Sequence, residues 1–248
     1  MTNPVAGSVS GGGGSLVDEA VFRPVRSGNS LEDTVGRLMQ TIRLGVVAPG
    51  QALPSERDLA SRFSVSRDTV REAIRELSEA GYLGSKRGRY GGTFVSDPLP
   101  APPSIPAVTP TTAEIEDVVG LREILEVGSV RAAAARALSA DDRALLWTRL
   151  GEVQAASAED YRRLDSRLHL AFAEIVGVPS LVTLLADNRS RVNELLDTFP
   201  LLARTIEHSN RQHEAIVLSI LAGNEEGAAE AMREHLDASA VLLRGFLA

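Results

Sequence analysis

Apolar residues recur at helical spacing along most of the chain, and the runs fall into two groups. In the first group, Ser30 is placed to cap a helix running to about Leu44, with Leu31, Val35, Leu38 and Ile42 on one face. Gly45, Pro49 and Gly50 end it. Ser55 is placed to cap a short helix, Glu56–Phe63. A tight connection at Ser64 and Val65 leads to a third helix, Arg67–Ala80, capped by Ser66 and striped by Val70, Ile74 and Leu77. Tyr82–Leu83 and Thr93–Val95 have strand character around a Gly-rich loop. In the second group, helical periodicity covers about Thr112–Ala137, Asp141–Ala156, Ala158–Val176, Ser180–Thr198, Leu201–Ala222 and Glu225–Phe246. Thr111 with Glu114 and Ser139 with Asp142 have the spacing of capping pairs.

The expected fold is therefore mainly α: three helices and a β-hairpin wing, then an all-α bundle of six or seven helices. The segment DPLPAPPSIPAVTPTT, with its repeated prolines, forbids a continuous helix between the groups. The expected organisation is a flexible Gly/Ser-rich tail at 1–21, a first domain at 22–97, a Pro-rich linker at 98–111 and a helical domain at 112–248.

The net charge of −7 argues against a nucleic-acid partner only until its distribution is read. Val21–Asp97 carries 12 Arg/Lys against 9 Asp/Glu, whereas Pro98–Ala248 carries 14 against 22. The basic excess sits with the hairpin. Cysteine is absent, which rules out disulfides, thiolate metal sites and a catalytic thiol, and is compatible with a reducing cytoplasm. No stretch reaches the roughly 20 apolar residues that a bilayer span needs, so no membrane partner is expected.

Leu53–Leu77, LPSERDLASRFSVSRDTVREAIREL, joins a short helix to a second through a tight turn, the layout of a helix-turn-helix. In such units the start of the second helix meets base edges in the major groove of double-stranded DNA. Here that start offers Ser66, Arg67, Thr69 and Arg71, with Asp68 placed to orient an arginine or cap the helix. Arg67 and Arg71, at i and i+4, share a face. Arginine forks fit guanine edges and phosphates, and the hydroxyls can reach phosphate. Arg57 is placed to hold flanking backbone. The loop Lys86–Gly92, KRGRYGG, would be the wing, with Arg87 and Gly88 at its tip.

All four histidines lie in the helical half. Asp165 and His169 are i and i+4 on one helix, so both can reach one point. His213 falls on a later helix and His235 on the last. One carboxylate and three imidazoles from three helices could share a cavity. Such a donor set suits zinc first, with nickel, manganese or iron also compatible. From spacing alone, a surface ion pair and solvated histidines explain the same residues.

The DNA-binding segment, with GYL and GRYGGTFV after it, resembles the N-terminal signature of the GntR family. That resemblance implies DNA contacts at Arg57, Ser66, Arg67, Thr69, Arg71, Arg87 and Gly88. It also implies a homodimer on a palindromic operator, usually as a repressor. The helical half resembles the FCD ligand-binding domain of the FadR subgroup at VVGLREILEVGSVRAAAARA, DSRLHLAFAEIVGVPSL and HEAIVLSILAGNEEGAAEAMREHL. In the metal-binding branch of that subgroup the ligand positions fall on Asp165, His169, His213 and His235; His208 matches none and is expected near the surface. The resemblance implies a small carboxylate effector, with Arg122 as its binding residue and Asn188 and Arg189 lining the cavity. Arg122 is equally placed to pair with Glu126 one helical turn away. Two other readings remain open: a metal-dependent hydrolase with a DNA-binding appendage, and a regulator whose metal is purely structural.

Overall fold

A computed structural model of the chain describes residues 15–25, 30–88, 91–100, 110–197, 201 and 203–247. Helix α1 spans Leu16–Val21, α2 Ser30–Arg43, α3 Glu56–Phe63 and α4 Arg67–Glu79; strands β1 (Leu83–Lys86) and β2 (Gly92–Val95) follow. The helical half holds α5 (Thr112–Ala134), α6 (Ala140–Gln154), α7 (Tyr161–Val176), α8 (Pro179–Leu196), α9 (Ala203–Leu221) and α10 (Glu225–Leu247).

The local signals explain most boundaries. Ser55 and Ser66 accept from the third residue of the helices they cap, Asp58 and Thr69. Between those helices Ser64 takes a left-handed conformation, φ 57°, and so turns the chain sharply. Thr111/Glu114 and Ser139/Asp142 both form complete capping boxes. Pro179 lies inside α8 at its first turn, where its missing N–H costs nothing. Strand β1 starts at Leu83 and runs to Lys86, longer than Tyr82–Leu83. Its antiparallel pairing with β2 holds residues into the basic loop, in register Leu83↔Val95 to Lys86↔Gly92.

Leu38, Ile42, Leu59, Phe63, Val70, Ile74 and Leu77 pack with Leu83 and Val95 into the core of the DNA-binding half. A second core, including Val130, Leu146, Leu168, Phe172, Ile216 and Met232, fills the helical half. A third core was not anticipated. Val17, Ala20 and Val21 of α1, with Leu44 after α2, pack against Leu125, Leu170, Ala173, Val182, Leu185 and Ala186 of the helical half.

This corrects the expected flexible tail over its last residues: Leu16–Val21 is a capped helix, buried at Val17, Ala20 and Val21. Six residues are too few for periodicity to register, and the apolar surface that holds them lies far away in sequence. Residues 1–14 of the tail, 101–109 of the linker, and Arg89 and Tyr90 of the wing lie outside the described residues. Among the described residues no helix is long and apolar enough to cross a membrane.

Candidate DNA-reading surface and metal centre

The start of α4 presents its polar groups together. Ser66 Oγ accepts from Thr69 N at 3.0 Å and lies 2.8 Å from Thr69 Oγ1. Arg71 bonds Asp68 at 3.0 Å and reaches across to Glu56 of α3 at 3.3 Å, so Asp68 does orient an arginine. Arg67 is exposed and has no ion-pair partner among the described residues. Arg57, also exposed, lies 3.5 Å from Asp58. In the wing, Lys86 sits over the Phe94 ring, 4.5 Å from its centroid. Arg87 is exposed, and Gly88 has φ +110°, a conformation that side chains rarely adopt.

The candidate metal centre is built by three helices. α7 carries Asp165 and His169 on one face, α9 brings His213, and α10 brings His235. One ligand atom from each of the four lies within 4.8 Å of the others; the three histidines are buried and the Asp165 side chain is 14% exposed. The tightest part is a triangle. His169 Nε2 lies 3.3 Å from His213 Nε2, and Asp165 Oδ1 lies 3.2 Å from His213 Nε2 and 3.6 Å from His169 Nε2. Donors about 2.0–2.1 Å from one tetrahedral ion stand roughly 3.3 Å apart, so the spacing fits a bound metal. His235 completes the set, its ring centroid 4.5 Å from that of His213. His208, by contrast, is exposed.

The surroundings prepare these donors. His169 Nδ1 lies 2.5 Å from Glu126 Oε2, and His235 Nδ1 lies 3.2 Å from Gln212 Oε1. Protons held on Nδ1 by these acceptors leave Nε2 lone pairs facing inward. Burial pushes the His169 and His235 imidazoles down from their ordinary pKa, His235 further because two other imidazoles face it. A metal needs neutral imidazoles of this kind. Burial would push the Asp165 carboxyl up, but the Arg189 guanidinium beside it holds it well below the usual range. Glu126 is held down likewise by Arg122, His169 and Arg189. His213 Nδ1 is a buried polar atom without a hydrogen-bond partner among the described residues.

The predicted effector residues divide. Arg122 is buried and engaged twice: Nε donates to Glu126 at 3.1 Å and Nη1 to Ser239 at 2.7 Å. Asn188 turns to α5, donating to the Val118 carbonyl at 3.0 Å. Its neighbour Arg189 enters the Asp/His cluster instead, donating to Asp165 Oδ2 and to Ser166 and lying 3.5 Å from Glu126. Glu126 itself was legible only as a partner for Arg122. Its contact with His169 links α5 to α7, and no spacing in the sequence announces it.

The fold and this site together define a class, a helix-turn-helix transcription regulator with a helical C-terminal domain. The family "Bacterial regulatory proteins, gntR family" matches residues 31–95, and the FCD domain matches residues 117–238. The chain belongs to the GntR family, with the FadR-like arrangement of an FCD domain behind the DNA-binding domain. It is 29% identical to an Escherichia coli (strain K12) protein named as a candidate regulator of the L-lactate dehydrogenase operon, over 87% of this chain and 86% of that one. It is 28% identical to the Bacillus subtilis (strain 168) HTH-type transcriptional regulator LutR, over 83% and 97%. Identity to the HTH-type transcriptional repressor NanR of Cronobacter sakazakii is 29%, over 87% and 85%. Among solved structures, E. coli McbR/YncC shares the fold, with a TM-score of 0.54 at 19% identity over 87% of this chain and 97% of that one. These are transcription regulators, a non-enzymatic class, so the hydrolase reading is set aside.

Proposed function

We propose that this regulator is a homodimeric repressor that binds a palindromic operator and is released by a small organic acid at a metal centre in its FCD domain. The observation that carries the reading is the buried convergence of Asp165, His169, His213 and His235 from three helices. A divalent transition metal, zinc first, would be held by these four donors and would supply a Lewis-acid centre, which a carboxylate could join only by expanding the coordination beyond them.

The chain's own residues do the rest. Asp165 and the three imidazoles hold the ion. Arg122, buried beside Glu126 and Ser239, supplies a planar fork for a second carboxylate oxygen. On DNA, Ser66, Arg67, Thr69 and Arg71 meet the major groove, Arg57 the flanking phosphates, and Arg87 and Gly88 an adjacent groove. A relative named for an L-lactate operon supports an organic acid, and one named a repressor supports repression.

The test begins with elemental analysis of the purified chain beside its His169→Ala/His213→Ala variant. One transition-metal ion per chain, lost in the variant, is expected. Fluorescence anisotropy on operator DNA then screens small carboxylates for release. A chain that takes up no metal on reconstitution overturns the site. A metal-stripped chain that keeps its affinity for the acid makes the metal structural only.

A further inference from the structure

Arg189 is fully buried, and its ion pair with Asp165 comes from a helix that supplies no metal ligand. Asp165 is divided between two roles. Its Oδ1 faces His169 and His213, while its Oδ2 accepts from Arg189. The guanidinium therefore leaves only Oδ1 facing the imidazoles and ties α7 to α8.

Two residues earlier on the same helix, Asp187 does something different. It accepts from Arg23, from Arg37 at 3.0 Å and from Gln40 at 3.1 Å. Gln40 also donates to the Ala186 carbonyl at 3.2 Å. Arg37 and Gln40 belong to α2 of the DNA-binding half, and Arg23 follows α1. Residues two apart on a helix point to nearly opposite sides. Helix α8 thus stands between the metal centre, which it touches through Arg189, and the DNA-binding domain, which it touches through Asp187. The apolar seam reinforces the second contact: Val182, Leu185 and Ala186 of α8 pack with Val17, Val21 and Leu44.

We propose that Arg189 is a positioning residue that transmits metal occupancy to the DNA-binding domain, with α8 as the connecting element and Asp187 as its outer contact. The inference rests on the metal reading of the site. Asp165, His169, His213 and His235, when they hold an ion, would cross-link α7, α9 and α10. Through Arg189 that rigidity extends to α8, and through Asp187 to α2 and the α1 strap. Coupling of this kind needs a packed element in contact with both sites, and α8 contacts both through Arg189 and Asp187.

The experiment is amide hydrogen exchange of residues 16–22 and 37–44 in the full-length chain, with and without saturating Zn2+. Zn2+ affinity is measured in parallel by chelator competition. In the wild-type chain Zn2+ is expected to slow exchange in both segments by about five-fold or more. Asp187→Asn is expected to keep wild-type Zn2+ affinity and lose that slowing. Arg189→Gln is expected to bind Zn2+ about 10–100-fold more weakly and, at saturation, to show no slowing. Arg189→Lys, which keeps the charge, restores part of the affinity. Slowing that persists in Asp187→Asn or Arg189→Gln overturns the proposal. So does a wild-type chain that binds Zn2+ with no change at residues 16–22 and 37–44. Failure of the wild-type chain to bind Zn2+ at all overturns the metal reading beneath it.

Discussion

His169 and Glu126 meet inside the helical domain with Nδ1 and Oε2 2.5 Å apart, and neither side chain is exposed to solvent. A buried carboxylate on an imidazole does two things. It fixes which nitrogen carries the proton, and it makes the other a better metal ligand. Glu126 also balances Arg122, whose Nε is 3.1 Å away. Glu126→Gln is therefore expected to lower Zn2+ affinity about 10–100-fold by chelator competition. It also leaves Arg122 without its charge partner, and denaturant unfolding of the metal-free chain should show a loss of about 3 kcal/mol. Unchanged Zn2+ affinity would remove Glu126 from any role in ligand orientation.

Arg67 and Arg71 share one face of the recognition helix but differ in their partners. Arg71 is already held by Asp68 and Glu56, whereas exposed Arg67 has no ion-pair partner among the described residues. Arg67→Ala is expected to cost about 1–3 kcal/mol of operator binding and to relax preference at one base position, the mark of a base-edge contact. A loss equal on all sequences, with the salt dependence reduced by about one charge, would instead place Arg67 on phosphate. Anisotropy titrations on operator and scrambled duplexes at several salt concentrations separate the two.

The strap helix α1 offers a separate test of how the halves hold together. Val21 is fully buried among Leu44, Leu170 and Leu185, and Ser15 caps the helix while also donating to Glu174 of α7. Val21→Asp places a charge in an apolar seam with no partner, which the helix can escape only by detaching. Limited proteolysis should then cut rapidly near Arg23, with Zn2+ uptake by the helical domain retained. Protection equal to wild type would mean that the strap contributes nothing to docking.

What the sequence revealed and what it hid follow from the range of each signal. The helix-turn-helix was legible because its caps, turn and apolar stripe are local: Ser55, Ser66 and Ser64 each act within a few residues. Asp165 and His169 were legible as a pair for the same reason. That His213 and His235 join them depended on resemblance, since helix packing alone brings α9 and α10 to α7. The contact of Glu126 with His169, the pairing of Arg189 with Asp165 and the role of Asp187 were hidden because each acts on an element far from its own. On a helical wheel a buried Arg and a solvated Arg look alike. Arg122 shows the limit well: its i,i+4 partner Glu126 was evident, but not the burial that places the pair beside the Asp/His cluster.

Asp187 gives the docking of the two halves a pH dependence whose sign can be worked out. Partial burial alone would raise its pKa, but hydrogen bonds from Arg23, Gln40 and Arg37 outweigh that and hold it below its ordinary value. A carboxyl depressed in the folded chain contributes stability that is fully present above its unfolded pKa of about 3.9. That contribution is lost as pH falls through the folded value. Asp187→Asn removes it at every pH. The melting temperatures of wild type and Asp187→Asn are therefore expected to differ most above about pH 5 and to converge as pH drops below about 4. A constant gap across that range would show that the Asp187 contacts act through shape and hydrogen bonding rather than charge. A gap that widened in acid would contradict the ion pairing itself, because protonation can only weaken what Arg23 and Arg37 donate to.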